Sequence, residues 1–298
     1  MLVLMPDQEL VDAVGPVDGV EFLVAGEVVE RAEDVEVLVT QYVTKASVAA
    51  DLDRFPRLRL VQLQSAGYDG IPELLPPGVR LANAAGVHDD ATAEMALGLV
   101  IASLRGIPEA VRQHGTWRRM PGRRSLADSH VLVYGYGSIG RAIAERLLAC
   151  KAKVTAVASR QRDDDLLGRV HGPEALPELL AQQHVVVVVL PLSEATRHVV
   201  DADFLAALPD HALVVNVGRG PLLDTDAVLA EEGRLRFALD VTDPEPLPDG
   251  HPLWRMSGTL ITPHVGGGTT AMLPRMAALV RDNLEALVAG REPRNLVT

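Results

Sequence analysis

Three polar residues stand just beyond successive apolar runs in the second half of the chain. Arg219 lies in Asn216–Asp224, after the run 212–217. Glu245 lies in Asp240–Pro246, after the run 237–241. His264 lies in Ile261–Gly268, after the run 260–262. If these runs are parallel strands, their carboxyl ends lie side by side, where open α/β sheets bind ligands. A guanidinium fork there can clamp a carboxylate and polarise the carbonyl beside it. An imidazole can carry a proton near neutral pH, and a carboxylate can orient and charge it. Taken singly, each has a plainer reading: Arg219 as a surface ion pair, Glu245 as a turn carboxylate between prolines, His264 as a satisfied core histidine. Taken together they describe a proton-transfer site with an anion clamp.

A second constellation precedes them. Residues 131–134 form an apolar run that leads into Gly135-Tyr136-Gly137-Ser138-Ile139-Gly140 and then into a helical stretch, Arg141 to Ala149. In this strand, turn and helix context the first glycine permits a tight turn, the second lets backbone approach a pyrophosphate, and the third lets helix pack on strand. The alternative is a structural glycine turn, which the following strand, 153–158, disfavours. Dinucleotide sites for NAD usually place an acidic residue at the end of that second strand to accept from the ribose hydroxyls. Here Ala158, Ser159 and Arg160 follow Val157, so no carboxylate repels a 2′-phosphate and a guanidinium is offered to it. NADP is therefore the expected cofactor; the other reading is an exposed arginine in a loop that tolerates NAD as well.

The elements that must carry these groups are legible as alternation. Short β-rich runs (2–5, 35–40, 58–64, 79–83, then 131–134, 154–158, 185–190, 212–217, 237–241 and 260–262) are separated by amphipathic stretches. This pattern predicts parallel strands buried on both faces, an α/β protein with two Rossmann-like, doubly wound domains. Between the two groups, 89–105 predicts a long buried helix with acidic residues in its first turn. The stretch 118–124 reads as a surface loop, and 271–289 as a final helix that packs back onto the first domain. A substrate domain of residues 1–98 plus 272–298 and a cofactor domain of 99–271 follow.

The chain has 298 residues, 48% of them apolar, and a formal charge of −12, which excludes disorder and argues against nucleic-acid or membrane-surface partners. Its one cysteine, Cys150, offers neither an intrachain disulfide nor a metal cluster, so no metal is expected and a reducing compartment is. The first ten residues have no basic segment and include Asp7 and Glu9, so no secretory leader is read and the placement expected is cytoplasmic. The longest apolar run, 185–190, ends at Pro191, far short of the roughly 20 residues that span a bilayer. None of the four tyrosines has a lysine four positions on, which sets aside the short-chain dehydrogenases.

With these residues in view, the sequence resembles the D-isomer-specific 2-hydroxyacid dehydrogenases, which include glyoxylate/hydroxypyruvate reductases, over nearly its whole length. The motifs that carry the resemblance are 64–69, Asn83, Ala93-Glu94, Trp117, 135–140, 191–196, 216–224, 239–246 and Pro263-His264, in that order. The resemblance implies a flavodoxin-like substrate domain beside the dinucleotide-binding one. It makes Arg219, Glu245 and His264 the catalytic triad, and assigns the substrate carboxylate to backbone amides at Ser65, Ala66 and Gly67. It places cofactor contacts at Ser138, Ile139, Ser159, Arg160, Pro191, Thr196, Val217 and Asp240, beside the glycines of 135–140. It implies a homodimer, and hydride transfer between NADP(H) and a small 2-oxoacid or D-2-hydroxyacid partner, with the loops 41–45 and 64–71 setting the side chain accepted. The rival reading is a dinucleotide-sensing regulator of the same fold; the complete triad counts against it. A formate-type relative is disfavoured by the Thr262-Pro263-His264 context.

Overall fold

The computed structural model describes residues 1–25, 31–42 and 52–297. The chain divides into two compact units, Met1–His88 with Thr269–Thr298, and Asp89–Gly268. Of the loop 41–45 expected to set specificity, residues 43–45 lie outside the described residues.

The first unit contains β1 (Leu2–Met5), α1 (Gln8–Val14), β2 (Glu21–Val24), β3 (Val35–Val39), β4 (Leu60–Gln62) and β5 (Arg80–Ala82). Its strands run parallel in the order β2-β1-β3-β4-β5, the flavodoxin-like order. Val3 and Met5 pack on one face with Leu10 and Met276, while Leu2 and Leu4 pack on the other with Phe55 and Leu63. Because both its faces are covered, β1 reads as an unbroken apolar run, whereas β3 carries Glu36 at a half-buried position. The Asp7 carboxylate accepts from the N–H of Leu10 at 2.8 Å and so caps α1.

The second unit begins with α2 (Asp89–Arg105), α3 (Ile107–Val111), β6 (His130–Tyr134), α4 (Ser138–Ala149) and β7 (Lys153–Val157), followed by a hairpin of β8 (Arg162–Asp164) and β9 (Gly168–Val170). It continues with α5 (Leu176–Leu180), β10 (Val185–Val188), α6 (Ala202–Ala206), β11 (Leu213–Asn216), α7 (Thr225–Ala230), β12 (Arg236–Leu239) and β13 (Thr259–Ile261). The chain then returns to the first unit through α8 (Met272–Val288). The parallel sheet runs β13-β12-β11-β10-β6-β7. A single parallel bridge from Val157 to His171 adds a vestigial strand beyond β7, and with it the order becomes the 3-2-1-4-5-6 of dinucleotide-binding sheets with β13 as a seventh strand at the far edge. Val131 and Val133 face one core and Leu132 and Tyr134 the other, as Val185 and Val187 do against Val186 and Val188.

Three differences from the sequence reading have local causes. The helix α2 belongs wholly to the second unit, where a border at 98/99 was expected, because it packs on α4 and against β11 and β12, and Arg146 pairs with Asp90 at 2.7 Å. The helix α4 starts at Ser138, inside the glycine motif, a turn earlier than Arg141. The strands β2, β8 and β9 were unmarked: β2 is a sheet edge, and β8 and β9 are short, charged and largely exposed.

Candidate active site

The site is built from three turns at the carboxyl ends of β11, β12 and β13. In the first, Asn216 is fully buried; its Oδ1 accepts from the N–H of Gly218 at 3.0 Å and its Nδ2 donates to the carbonyl of Arg219 at 2.8 Å. The guanidinium of Arg219 donates to the carbonyl of Gly218 at 2.8 Å. A Cβ on Gly220 would strike the carbonyl of Thr242, so this turn lies directly against the loop that follows β12.

That loop carries Asp240, only 3% exposed. Its Oδ1 accepts from Thr262 Oγ1 at 2.5 Å and from the N–H of Val265 at 3.1 Å, and its Oδ2 from the N–H of Gly266 at 2.8 Å. The Asp240 carboxylate, expected as a cofactor contact, is therefore also the acceptor around which the His264 turn is folded. His264 has φ of 51°, and its Nδ1 lies 2.6 Å from Glu245 Oε1. A carboxylate can only accept, so Nδ1 carries the hydrogen and Nε2 is the ring nitrogen left for another partner. Burial resists ionisation of Glu245, but the bond from His264, the charge of His264, the Thr242 backbone and the charge of Arg219 together hold its carboxyl below the usual value. Arg219, Glu245 and His264 thus share one electrostatic neighbourhood.

The glycine cradle opens where β6 meets β10, at the point where strand order reverses. Gly135 has φ of +106°, and a Cβ there would sit 2.6 Å from the carbonyl of Val189. A Cβ on Gly140 would run into the carbonyl of Gly135, so helix and strand pack as closely as backbone allows. A Cβ on Gly137 would meet nothing within 4 Å, and no side chain caps α4. Open backbone at an uncapped helix N-terminus, where Ser138 and Ile139 begin the helix, is what a pyrophosphate requires, and the residues fit a dinucleotide. Among the neighbours expected by resemblance, Val217 is buried at the end of β11. Thr196 closes the loop 191–196 by donating to the carbonyl of Pro191 at 2.7 Å and accepting from the N–H of Ser193 at 2.8 Å. Beyond β7, Ala158 is buried, and Ser159 and Arg160 are exposed.

One residue was missed. Arg162, on β8, donates to the carbonyl of Tyr136, inside the glycine motif, at 2.7 Å, and its guanidinium lies 5.6 Å from the centre of the Tyr136 ring. The same ring donates its hydroxyl to Asp164 at 3.0 Å, and burial with that carboxylate pushes the phenol up to about 12. The available signal was the second arginine of Ser159-Arg160-Gln161-Arg162. In the first unit, Ser65, Ala66 and Gly67 are half-buried on the loop after β4. Among the described residues no cluster of His, Cys, Asp or Glu could hold a metal, and no helix is long and apolar enough to cross a membrane.

Comparison with known proteins gives a consistent result. Residues 97–266 match the family described as D-isomer specific 2-hydroxyacid dehydrogenase, NAD binding domain. A glyoxylate reductase of Thermofilum pendens is 31% identical over 83% of this chain and 76% of its own. The human glyoxylate reductase/hydroxypyruvate reductase is 31% identical over 78% of this chain and 75% of its own. A D-isomer specific 2-hydroxyacid dehydrogenase from Xanthobacter autotrophicus Py2, crystallised with NADPH and MES, shares 32% identity and superposes with a TM-score of 0.84 over 100% of this chain and 97% of that one.

Proposed function

Since this chain belongs to the D-isomer-specific 2-hydroxyacid dehydrogenases, we propose that it reduces a small 2-oxoacid such as glyoxylate or hydroxypyruvate, with Arg219, Glu245 and His264 as the residues that act on it. It is an oxidoreductase of the CH–OH group, and its cofactor is NADP(H), with NAD(H) as the alternative. The dinucleotide-sensing regulator finds no support in the two relatives described above, which are named as reductases.

The observation that carries the assignment is the 2.6 Å contact between His264 Nδ1 and Glu245 Oε1 beside the charge of Arg219. With Nδ1–H committed to the carboxylate, a protonated His264 presents Nε2–H to the carbonyl oxygen of the oxoacid and delivers that proton as the alkoxide forms. Glu245 stabilises the imidazolium before transfer and keeps the ring in one orientation. Arg219 holds the substrate's carboxylate and polarises its carbonyl with a planar fork. The amides of Ser65, Ala66 and Gly67 are the carboxylate receptor. In the reverse direction His264 takes the proton from the hydroxyl of a D-2-hydroxyacid.

NADPH, when bound, supplies the hydride that C2 receives. Gly135, Gly137, Ser138, Ile139 and Gly140 would hold its pyrophosphate, Ser159 and Arg160 its 2′-phosphate, and Pro191, Thr196, Val217 and Asp240 the rest of the dinucleotide. We read the protein as cytoplasmic, on its acidic charge and lone cysteine, and as a homodimer. The segment after α2 supports the dimer: it exposes Ile107, Val111 and, at 93%, Trp117, an apolar set that an isolated chain leaves in water.

A panel of glyoxylate, hydroxypyruvate, pyruvate and phenylpyruvate, assayed with NADPH and with NADH, tests the reading. Turnover of at least one oxoacid, slowed about 10²-fold or more in His264→Ala, is expected; no turnover of any oxoacid with either cofactor would overturn it.

A further inference from the structure

The loop after β4 is held by its oxygens. Four successive carbonyls each accept a hydrogen bond: Gln64 from His88 Nε2 at 2.6 Å, Ser65 from the N–H of Ala84 at 2.9 Å, Ala66 from Asn83 Nδ2 at 2.8 Å, and Gly67 from Ser65 Oγ at 2.7 Å. In a planar trans peptide the C=O and the N–H of one unit point in opposite directions. Fixing each oxygen therefore fixes the direction of the following amide, so the N–H groups of Ser65, Ala66, Gly67 and Tyr68 are each turned away from the group that grips the carbonyl before it. Among the described residues none of these four amides donates to another group. Consecutive amides left without an acceptor on a half-exposed loop are the raw material of an anion site.

Two of the four grips come from buried side chains with little else to do. His88 is 4% exposed, its ring lies 5.6 Å from that of Tyr42, and its Nδ1 is buried without a partner. A carbonyl only accepts, so Nε2 carries the hydrogen and the bond to Gln64 is the ring's one polar contact among the described residues. Asn83 is 7% exposed; its Oδ1 accepts from the N–H of Ala85 at 3.2 Å, and its Nδ2 is given to Ala66. The strand ends around it are tied in turn. The N–H of Asn83 donates to the carbonyl of Asn295 at 3.0 Å, and Gln62 Nε2 donates to the carbonyl of Leu63 at 2.9 Å.

We propose that Asn83 and His88 are positioning residues for the substrate carboxylate, acting through the carbonyls of Ala66 and Gln64 to aim the amides of Gly67 and Ser65. Neither side chain touches substrate. The inference rests on the proposed role of the Ser65–Gly67 loop as carboxylate receptor and adds what makes that loop a receptor. A loop whose peptides could rotate would have to be ordered each time an anion bound, and preorganisation removes that cost.

The test uses the full chain with NADPH and two probes, glyoxylate as substrate and oxalate as a non-reducible dicarboxylate. Asn83→Ala and His88→Leu should raise the KM for glyoxylate and the calorimetric Kd of oxalate by about 10-fold or more, the size of one amide bond to a carboxylate lost when the freed peptide turns. The KM for NADPH should stay within about twofold and kcat at saturating glyoxylate within about threefold, a split that general loss of folded protein would not produce. His88→Gln, whose Nε2 hydrogens can reach the same carbonyl, should recover most of the oxalate affinity. Unchanged KM and Kd in Asn83→Ala and His88→Leu would overturn the inference while leaving the reductase reading intact. A wild type that neither reduces glyoxylate nor binds oxalate would overturn that reading and this inference with it. Should the substitutions unfold the chain, the 15N amide resonances of Ser65 to Tyr68 in the wild type decide instead: they must move on addition of oxalate, and fixed resonances refute the proposal.

Discussion

The N–H of His264 donates to the carbonyl of Asp240 at 2.7 Å while the Asp240 carboxylate takes the N–H groups of Val265 and Gly266. One buried residue at the end of β12 thus sets the turn that presents the imidazole to Glu245. The turn that carries the imidazole is folded around a residue other than the ring's own partner, Glu245.

Asp240→Asn keeps the shape of that residue but puts two amide hydrogens where the turn offers N–H donors. One of the buried N–H groups then loses its acceptor, at a cost of about 1 to 3 kcal/mol. The expected outcome is a lower melting temperature together with a kcat for glyoxylate reduction reduced by about 10-fold or more. Calorimetry and steady-state kinetics check it; wild-type values for both would show that the carboxylate is dispensable to the turn.

For the pair itself, His264→Ala should lower kcat by about 10²- to 10⁴-fold, the range of a positioned acid or base, with NADPH still bound. Glu245→Gln removes the negative charge beside the imidazole, so the pH at which reduction is half lost should move down. The stability effect has a definite sign. Because the folded-state value of Glu245 lies below the ordinary 4.5, its ionised form contributes stability above that pH, and the contribution is lost as pH falls through the lowered value. The melting-temperature difference between wild type and Glu245→Gln should therefore be present at neutral pH and vanish in acid. A difference that grew on acidification would contradict the pairing.

The second and third glycines of the cradle predict opposite failures. Gly140→Ala pushes a methyl into the carbonyl of Gly135 and should destabilise the fold by about 1 to 3 kcal/mol, as overpacking does. Gly137→Ala meets open space at an ordinary φ of −92°, so the apo melting temperature should hold. Its methyl occupies the place where phosphate approaches backbone, and NADPH affinity by fluorescence titration should fall at least about 10-fold. Undiminished NADPH affinity in a folded Gly137→Ala variant would show that the cradle is not where the dinucleotide lies.

Cofactor preference is the most exposed expectation. A charge-assisted bond is worth about 1.5 to 3 kcal/mol, so wild-type kcat/KM should favour NADPH over NADH by roughly 10- to 100-fold. Ala158→Asp combined with Arg160→Ala removes a phosphate partner and adds a repulsive carboxylate that can accept from ribose, and should reverse the order. Equal or better use of NADH by the wild type would make Arg160 a bystander.

The sequence disclosed what periodicity and motif can encode. Runs such as Val131–Tyr134 and Val185–Val188 are apolar on every residue because both faces of the sheet are covered. The candidate site was legible because Arg219, Glu245 and His264 each follow such a run in a polar, proline- or glycine-containing turn. Bonds from side chains to carbonyls leave no such trace: nothing in residues 83–88 announces that Asn83 and His88 hold Ala66 and Gln64, nor does residue 240 announce its grip on Val265 and Gly266. The hairpin of β8 and β9 was invisible for another reason. Arg162, Asp163 and Asp164 pair across to Gly168–Val170, and a two-stranded, largely exposed ribbon needs no alternating apolar face.

That ribbon leaves and rejoins the sheet at one spot. The N–H of Ala158 donates to the carbonyl of His171 at 2.9 Å, and the N–H of His171 donates back to the carbonyl of Ala156 at 2.9 Å, so the chain between them is a detour whose ends are already stitched together. Closure of such an excursion depends only weakly on its length. Within residues 159–170 the exposed positions can therefore vary, whereas Arg162 and Asp164 tie the excursion to Tyr136 and the buried Val170 ties it to the core. Changes at those exposed positions would leave β6, α4 and the three turns at the far strands in place, so on the proposed roles of Ser159 and Arg160 cofactor choice could be altered apart from Glu245 and His264.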